Sequence, residues 1–371
     1  MSPNERLARI RLARTSGVGP HTYRRLLARF GNADAAIDAL PDLARAGGRS
    51  DRLVVTPLRD VERELTQVHK LGGLMFVLGE PGYPDMLALL EDAPPVIAIL
   101  GDPAVFTAPA IALVGARNAS ANGQRMAEML AADLATNGLV VVSGLARGID
   151  AAAHTGAMHT GRTIAAIAGG LDKPYPPENV DLQARIAANG AVVAEAPLGT
   201  APQSRHFPRR NRIIAGLSLG VVVVEAARHS GSLITAQMTL DMDRAVFAVP
   251  GSPLDPRCSG SNDLLRAGAT LVGQASDVME DLPQRPFPTL LPLGFAEDAA
   301  PAPAPEIDLP AARRRVLALL GYDPALVDDL VRRCQLSVSL VMAVLLELEL
   351  AGRIETLPGH RVTLLEGQRI P

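Results

Sequence analysis

The stretch Ile111–Asp150, IALVGARNASANGQRMAEMLAADLATNGLVVVSGLARGID, limits the fold more than any other part of the chain. It opens on an apolar run, breaks at Gly115, takes up helical periodicity from Gly123 to Asn137, returns to an apolar run at Leu139–Val142 and breaks again at Gly144 and Gly148. Strand, glycine turn, helix, strand and second glycine turn make a βαβ unit of nucleotide-binding type. Each turn is a candidate anion cradle, because a helix N-terminus presents unpaired N–H groups and the positive end of its dipole.

The same alternation continues on both sides. Apolar runs recur at Met75–Leu78, Val96–Leu100, Ala110–Val114, Thr163–Ile167, Ala191–Ala194, Gly220–Val224 and Ala245–Val249. Helical patterns at Ile149–Met158, Val180–Asn189 and Ser232–Met242 separate most of the later ones. Strands that are apolar on both faces and alternate with helices predict an α/β fold. Residues 73–282 therefore read as a Rossmann-like, doubly wound, mostly parallel sheet with right-handed crossovers.

Residues 1–72 read as a helical, SAM/helix-hairpin-helix-like domain. Its turn Gly17-Val18-Gly19-Pro20 could offer backbone N–H groups to a DNA phosphate, or serve as an ordinary turn in a helical cap. Residues 283–308 are rich in Pro and Ala without periodicity and read as an extended linker. Residues 309–371 give helical patterns at Ala311–Leu320, Ala325–Arg333 and Val338–Ala351, then a hairpin at Arg353–Thr356 and Arg361–Leu365. Three helices and a β wing predict a winged-helix domain. Its third helix carries no Arg, Lys, Asn or Gln to read base edges, which points to a protein contact or a structural role.

Composition narrows the function. With 48% hydrophobic and 20% charged residues the chain is globular, and a net charge of −3 excludes a uniformly basic coat while leaving room for a local basic groove. Cys258 and Cys334 stand alone, so neither a zinc site nor a disulfide framework is expected. The charged N-terminus lacks the core of a signal peptide, and no apolar run is long enough for a membrane helix. A cytoplasmic protein without membrane contact follows as the expectation.

The first turn, Gly115-Ala116-Arg117-Asn118-Ala119-Ser120, lacks the dinucleotide fingerprint GxGxxG, so no cofactor is expected. It leaves Gly115 for close approach, Arg117 for phosphate, and Ser120 either for phosphate or for capping alone. The second turn offers Ser143, Gly144, Arg147 and Gly148, while Asp150 and His154 read as a structural pair. A basic cluster holds Arg205, Phe207, Arg210, Asn211 and Arg212, in which phosphates pair with Arg and a base stacks on Phe207. A solvated helix start is the competing reading of that cluster. The turn Ser230-Gly231-Ser232 follows another strand. Several anion-competent turns along one sheet edge suit a polymer. No catalytic constellation is present, and Glu195 and Glu225 end strands without an evident partner.

The motifs VGAR at 114–117, VVSGLARGIDAAAH at 141–154, GGLDKPYP at 169–176, FPRRNRIIAGLS at 207–218, VVVEAARHSGSLITA at 222–236, VFAVPGS at 246–252 and GSNDLLRAGA at 260–269 resemble the DNA-processing protein A family (DprA, also called Smf). The resemblance covers the sheet domain continuously. It implies a non-enzymatic single-stranded-DNA-binding protein that protects incoming DNA during natural transformation and loads the RecA recombinase, as a homodimer. It places phosphates on Arg117 and the glycine turns, with Phe207, Arg210 and Asn211 in the same groove and Lys173 as a further contact. Members often carry a lysine just before the Phe, where this chain has Arg205 and His206. The dimer and RecA surfaces would fall towards Ser232–Arg266. An alternative is a nucleotide-binding hydrolase of the lysine-decarboxylase-like Rossmann group, but its PGGxGTxxE motif is missing and Gly169-Gly170 runs into Leu-Asp-Lys.

Overall fold

The computed structural model describes residues 1–51, 53–282, 309–357 and 359–365. The linker expected at 283–308 lies outside the described residues. The chain forms two compact units; the N-terminal helices share one with the C-terminal module, and the sheet forms the other.

In the first unit, α1 (Pro3–Arg14), α2 (Pro20–Phe30) and α3 (Ala33–Ala46) bury Leu12, Leu26 and Leu40 against one another. Gly19 caps α2, and Pro20 enters its first turn, where a missing N–H costs nothing. The chain then passes through α4 (Leu58–Lys70) into the sheet.

The sheet holds nine strands in the order β1-β2-β6-β5-β4-β3-β7-β8-β9. These are β1 (Gly73–Val77), β2 (Val96–Gly101), β3 (Ala110–Val114), β4 (Val140–Ser143), β5 (Thr163–Ile167), β6 (Ala191–Ala194), β7 (Gly220–Val223), β8 (Ala245–Ala248) and β9 (Thr270–Leu271). From β6 to β9 every neighbouring pair is parallel, while β1 and β2 add to the β6 edge antiparallel. The mostly parallel sheet predicted from the alternating runs is therefore present. Only the two-residue β9 had no apolar run to announce it.

Helices α5 (Asp85–Ala88), α6 (Ala121–Thr136), α7 (Ile149–Thr160), α8 (Val180–Asn189), α9 (His206–Leu217), α10 (Gly231–Asp241), α11 (Ser259–Arg266) and α12 (Ala275–Asp281) accompany the strands. Strand alternation divides the interior. Ala110, Ala112 and Val114 of β3 join one core with Ile213, Ile214 and Leu217 of α9, and Ile111 and Leu113 join the other with Leu130 and Leu134 of α6. Each fully buried branched side chain contributes roughly 1.5–3 kcal/mol, so strands this apolar are held only when covered on both faces. No helix among the described residues is long and apolar enough to cross a membrane.

The C-terminal module has α13 (Leu309–Leu319), the short β10 (Ala325–Leu326), α14 (Val327–Cys334), α15 (Val338–Leu350) and the hairpin β11 (Ile354–Leu357) and β12 (Arg361–Leu364). Ala325 and Leu326, expected to open a helix, instead pair with Val362 and Arg361 and cover an edge of the hairpin. This completes a winged helix, as predicted.

The third helix of that module, α15, packs on the N-terminal helices of the same unit. Leu346 and Leu350 join the core of Leu12, Leu26 and Leu40. Glu349 faces Arg25 at 3.7 Å with both side chains largely buried, and Glu347 accepts from Arg313. A Cβ on Gly17, in the turn that could meet DNA, would stand 3.9 Å from Leu350 O. Both acids of α15, Glu347 and Glu349, thus have partners within the protein.

Gly47, the C-cap of α3, lies so close to α15 that a Cβ there would overlap Glu347 O. Gly47→Val should cost about 1–3 kcal/mol by overpacking. It should also speed amide exchange in both α3 and α15, read by hydrogen exchange with mass spectrometry. Unchanged exchange in α15 would show that this contact does not hold the two modules together.

Candidate nucleic-acid interface

The chain leaves β3 towards β4, β5 and β6 and returns on the other side of β3 at β7. The crevice beyond the carboxyl ends of β3 and β7 is the switch point where open α/β sheets bind ligands. A groove of about 800 Å³ lies there, lined by Gly115–Asn118 after β3, by Ala227–Ser232 after β7, and by Phe207, Arg210 and Asn211 from α9. A neighbouring pocket of about 320 Å³ is lined by Arg117, Asn118, Gly144, Ala146, Arg147, Tyr175, Pro176 and Phe207.

The first anion cradle is already filled by the protein. Ser120 caps α6, accepting from the Gly123 N–H at 2.9 Å. Its own N–H donates to Glu225 Oε2 at 2.9 Å, and its hydroxyl donates to Glu225 Oε1. A buried carboxylate from the end of β7 therefore sits at the positive end of the α6 dipole. Ser120 therefore caps α6 with its single hydroxyl proton engaged by Glu225.

The second cradle is filled in the same way. Asp150, in the first turn of α7, accepts from the Gly144 N–H at 3.2 Å and the Ala146 N–H at 3.3 Å. The turn is strained at Leu145, which sits at φ 57°, while Gly148 takes φ 72° as glycine readily does. Leu145 tolerates this conformation while wholly buried. Burial pushes the Asp150 carboxyl up, and the Arg210 charge with the two turn amides pulls it back.

Arg210 is the counter-charge. It is only 6% exposed, and its Nη1 donates to Gly144 O and, at 2.9 Å, to Ala166 O. Burial lowers its pKa to about 10, with Asp150 opposing, so it stays charged at neutral pH. Gly144 has to be glycine, because a Cβ would overlap this guanidinium. Arg210 thus lines the groove as a fixed wall with its Nη1 bonded inward.

His154, one turn further along α7, is completely buried. The Thr163 hydroxyl donates to Val141 O at 2.7 Å, so its contact with His154 Nδ1, also 2.7 Å, requires Nδ1–H to be the donor. Nε2 is then a buried lone pair without a hydrogen-bond partner among the described residues. Burial, with Arg210 adding, drives the His154 pKa down to about 3, which keeps the ring neutral.

Arg117 is the opposite case. It is exposed, lines both groove and pocket, and makes no ion pair among the described residues. Its guanidinium carbon lies 4.9 Å from the Phe207 ring centroid, and that of Arg210 lies 5.8 Å away. Phe207 therefore holds an uncompensated cation over the groove.

The remaining predicted residues divide. Gly115, Asn211, Ser230, Gly231 and Ser232 line the groove, and Asn211 donates to Gly231 O at 3.3 Å. Gly144 and exposed Arg147 line the pocket, although Arg147 is paired with Glu178. Ser143 is buried and donates to Leu113 O, and Gly148 serves as the cap of α7.

The structure does not bring Arg212, Arg205 or Lys173 to the groove lining. Arg212 is buried, because helical periodicity turns it from Arg210 towards Glu195 and Asp92, which it bridges. Arg205 precedes α9 and is exposed, while Lys173 stands 3.9 Å from Asp172. Glu195 and Glu225, which lacked evident partners in the sequence, thus hold Arg212 and the α6 cap. Sequence reasoning missed Tyr175, two residues from Lys173 in the GGLDKPYP motif; its signal was an aromatic between prolines. Among the described residues no cluster of His, Cys, Asp or Glu could hold a metal ion.

Residues 74–283 match the model of DNA recombination-mediator protein A. The chain belongs to that family. Residues 3–66 match the DprA-like N-terminal HHH domain and residues 300–360 the DprA winged helix domain. Protein Smf of Synechocystis is 31% identical over 97% of this chain and 99% of its own length. The X-ray structure of DNA processing protein A from Streptococcus pneumoniae superposes with a TM-score of 0.64 at 33% identity, covering 76% of this chain and 99% of that one. A Helicobacter pylori DNA processing protein A, whose structure concerns its single-stranded DNA binding mode, gives a TM-score of 0.52 at 28% identity over 57% of this chain and 97% of that one. A DNA-processing recombination mediator is thus the family's function.

Proposed function

We propose that this chain binds single-stranded DNA along the β3–β7 groove and acts by holding the strand, without a chemical step. The observation that carries the reading is Arg117: an exposed cation with no ion pair among the described residues, set against Phe207 in a groove where Glu225 already occupies the α6 N-terminus and Asp150 the turn before α7. With these two backbone cradles occupied, phosphate attraction beside them falls to projecting side chains, which suits a flexible polyanion better than a small buried cofactor. The single-stranded DNA binding described for the Helicobacter pylori relative supports the ligand class. Engagement of Glu195 with Arg212 and of Glu225 with Ser120 removes both strand-end carboxylates from duty as a free general base, which weighs against the hydrolase reading.

In this reading the bound strand is incoming DNA during natural transformation, protected and then passed to the RecA recombinase in the cytoplasm. The working unit is a homodimer; exposed Leu240 and Leu254 fall in the segment assigned to its surface. Membership of the DNA recombination-mediator family supports these finer steps. A competition gel shift of single-stranded against duplex DNA, with and without RecA, tests them. Equal affinity for both DNA forms would end the single-strand reading.

Arg117→Ala should weaken binding uniformly across sequences. It should also reduce the slope of log affinity against log salt by roughly 0.7, the loss of one phosphate contact on a single strand. Fluorescence anisotropy across a salt series measures both, and an unchanged slope in a folded variant would remove Arg117 from the phosphate track.

A further inference from the structure

The aromatic expected to stack on DNA is Phe207, yet its ring is not free. Arg117 and Arg210 approach its centroid at 4.9 and 5.8 Å, and the Tyr175 ring stands 5.9 Å away, inclined at 61°. A base stacking on that ring would compete with Arg117, the cation assigned to phosphate.

Tyr175 shares the inclined contact with Phe207, but among the described residues no cation lies over its ring. It is 46% exposed, and it is the only exposed aromatic among the described residues of the sheet unit. It lines both the groove and the adjacent pocket. Its inclination to Phe207 means the two rings do not stack face to face. Pro174, Pro176 and Pro177 surround it in sequence and restrict the backbone, so little conformational freedom remains to be lost on binding. The segment is tied down further along: Asn179 Nδ2 donates to Leu145 O at 2.9 Å and Ala146 O at 3.2 Å, fastening it to the second glycine turn.

We propose that Tyr175 supplies the stacking face for one base of the bound strand, seated in the pocket beside Arg147, Asn118 and Pro176, while Phe207 serves as the mount for Arg117. This rests on the groove being a single-stranded DNA site. The pocket's 320 Å³ is at the small end of ligand-binding cavities, a size for one base and not for a dinucleotide. Stacking on a ring face is tolerant of base identity, so the subsite recognises a nucleobase as such.

The test compares two oligonucleotides of equal length and charge, oligo-dT and its abasic counterpart, by fluorescence anisotropy on the full chain. Wild type should prefer oligo-dT, by roughly 5- to 100-fold if one base stacks. Tyr175→Ala should lose that preference while keeping its affinity for the abasic strand, and Tyr175→Phe should retain it. Because the chain contains no Trp, tyrosine emission is directly visible, and oligo-dT should quench a component that Tyr175→Phe lacks. Tyr175→Ala that weakens both strands equally, or neither, overturns the proposal. Wild type that binds neither strand overturns the groove reading itself, a result distinguishable from both.

Discussion

Arg210→Met should cost roughly 3–5 kcal/mol of folding stability, the effect of leaving a buried charge without its partner. The substitution strands Asp150 beneath the second glycine turn and leaves Gly144 O and Ala166 O without their donor. Urea denaturation of the wild type, Arg210→Met, Asp150→Asn and the double variant gives the coupling between the two residues. The double variant should be more stable than the sum of the single losses predicts. Any folded Arg210→Met protein should bind DNA with an unaltered salt slope, since its Nη1 is bonded to backbone carbonyls. A loss under 1 kcal/mol together with a reduced slope would instead make Arg210 a phosphate contact, as the sequence suggested.

The second large effect is on pH dependence. His154 titrates near 3 in the folded protein and near 6.5 when exposed on unfolding. Its folded pKa is depressed, so below 6.5 the unfolded chain binds a proton that the native ring refuses. Stability is fully present above pH 6.5 and declines as pH falls, by about 1.4 kcal/mol per unit, for a total of roughly 4–5 kcal/mol by pH 3. His154→Gln keeps a donor for Thr163 but cannot titrate. Its stability profile between pH 6.5 and 4 should be flatter than that of wild type by this slope. Parallel profiles would show that His154 charges within the fold without cost.

Legibility in the sequence followed the range of the interaction. The parallel sheet could be read because each buried strand is a continuous apolar run and each helix carries its own periodicity. The winged helix could be read for the same reason, and its α15, which lacks DNA-reading side chains, packs on the N-terminal helices of the same unit. The short β10 was read as helix because its two residues carry no period of their own, and their partner Val362 lies far along the chain.

The site divided similarly. That glycine turns, Arg117 and the cluster around Phe207 share one crevice follows from strand order at a switch point, and both the motifs and the fold indicate it. Which cations face solvent was not readable. Arg210 and Arg212 are two residues apart in one basic run, yet one neutralises Asp150 and the other Glu195.

The architecture and the chemical character of the groove are local properties of the chain, because periodicity and turn residues act over a few positions. Closure of the two glycine cradles of Ile111–Asp150 by the protein's own carboxylates emerges only once the chain is folded. Glu225 reaches Ser120 from 105 residues away, and Asp150 holds its turn under a charge supplied by α9. Charge compensation is set by distance in space and by burial, and neither is written in local spacing.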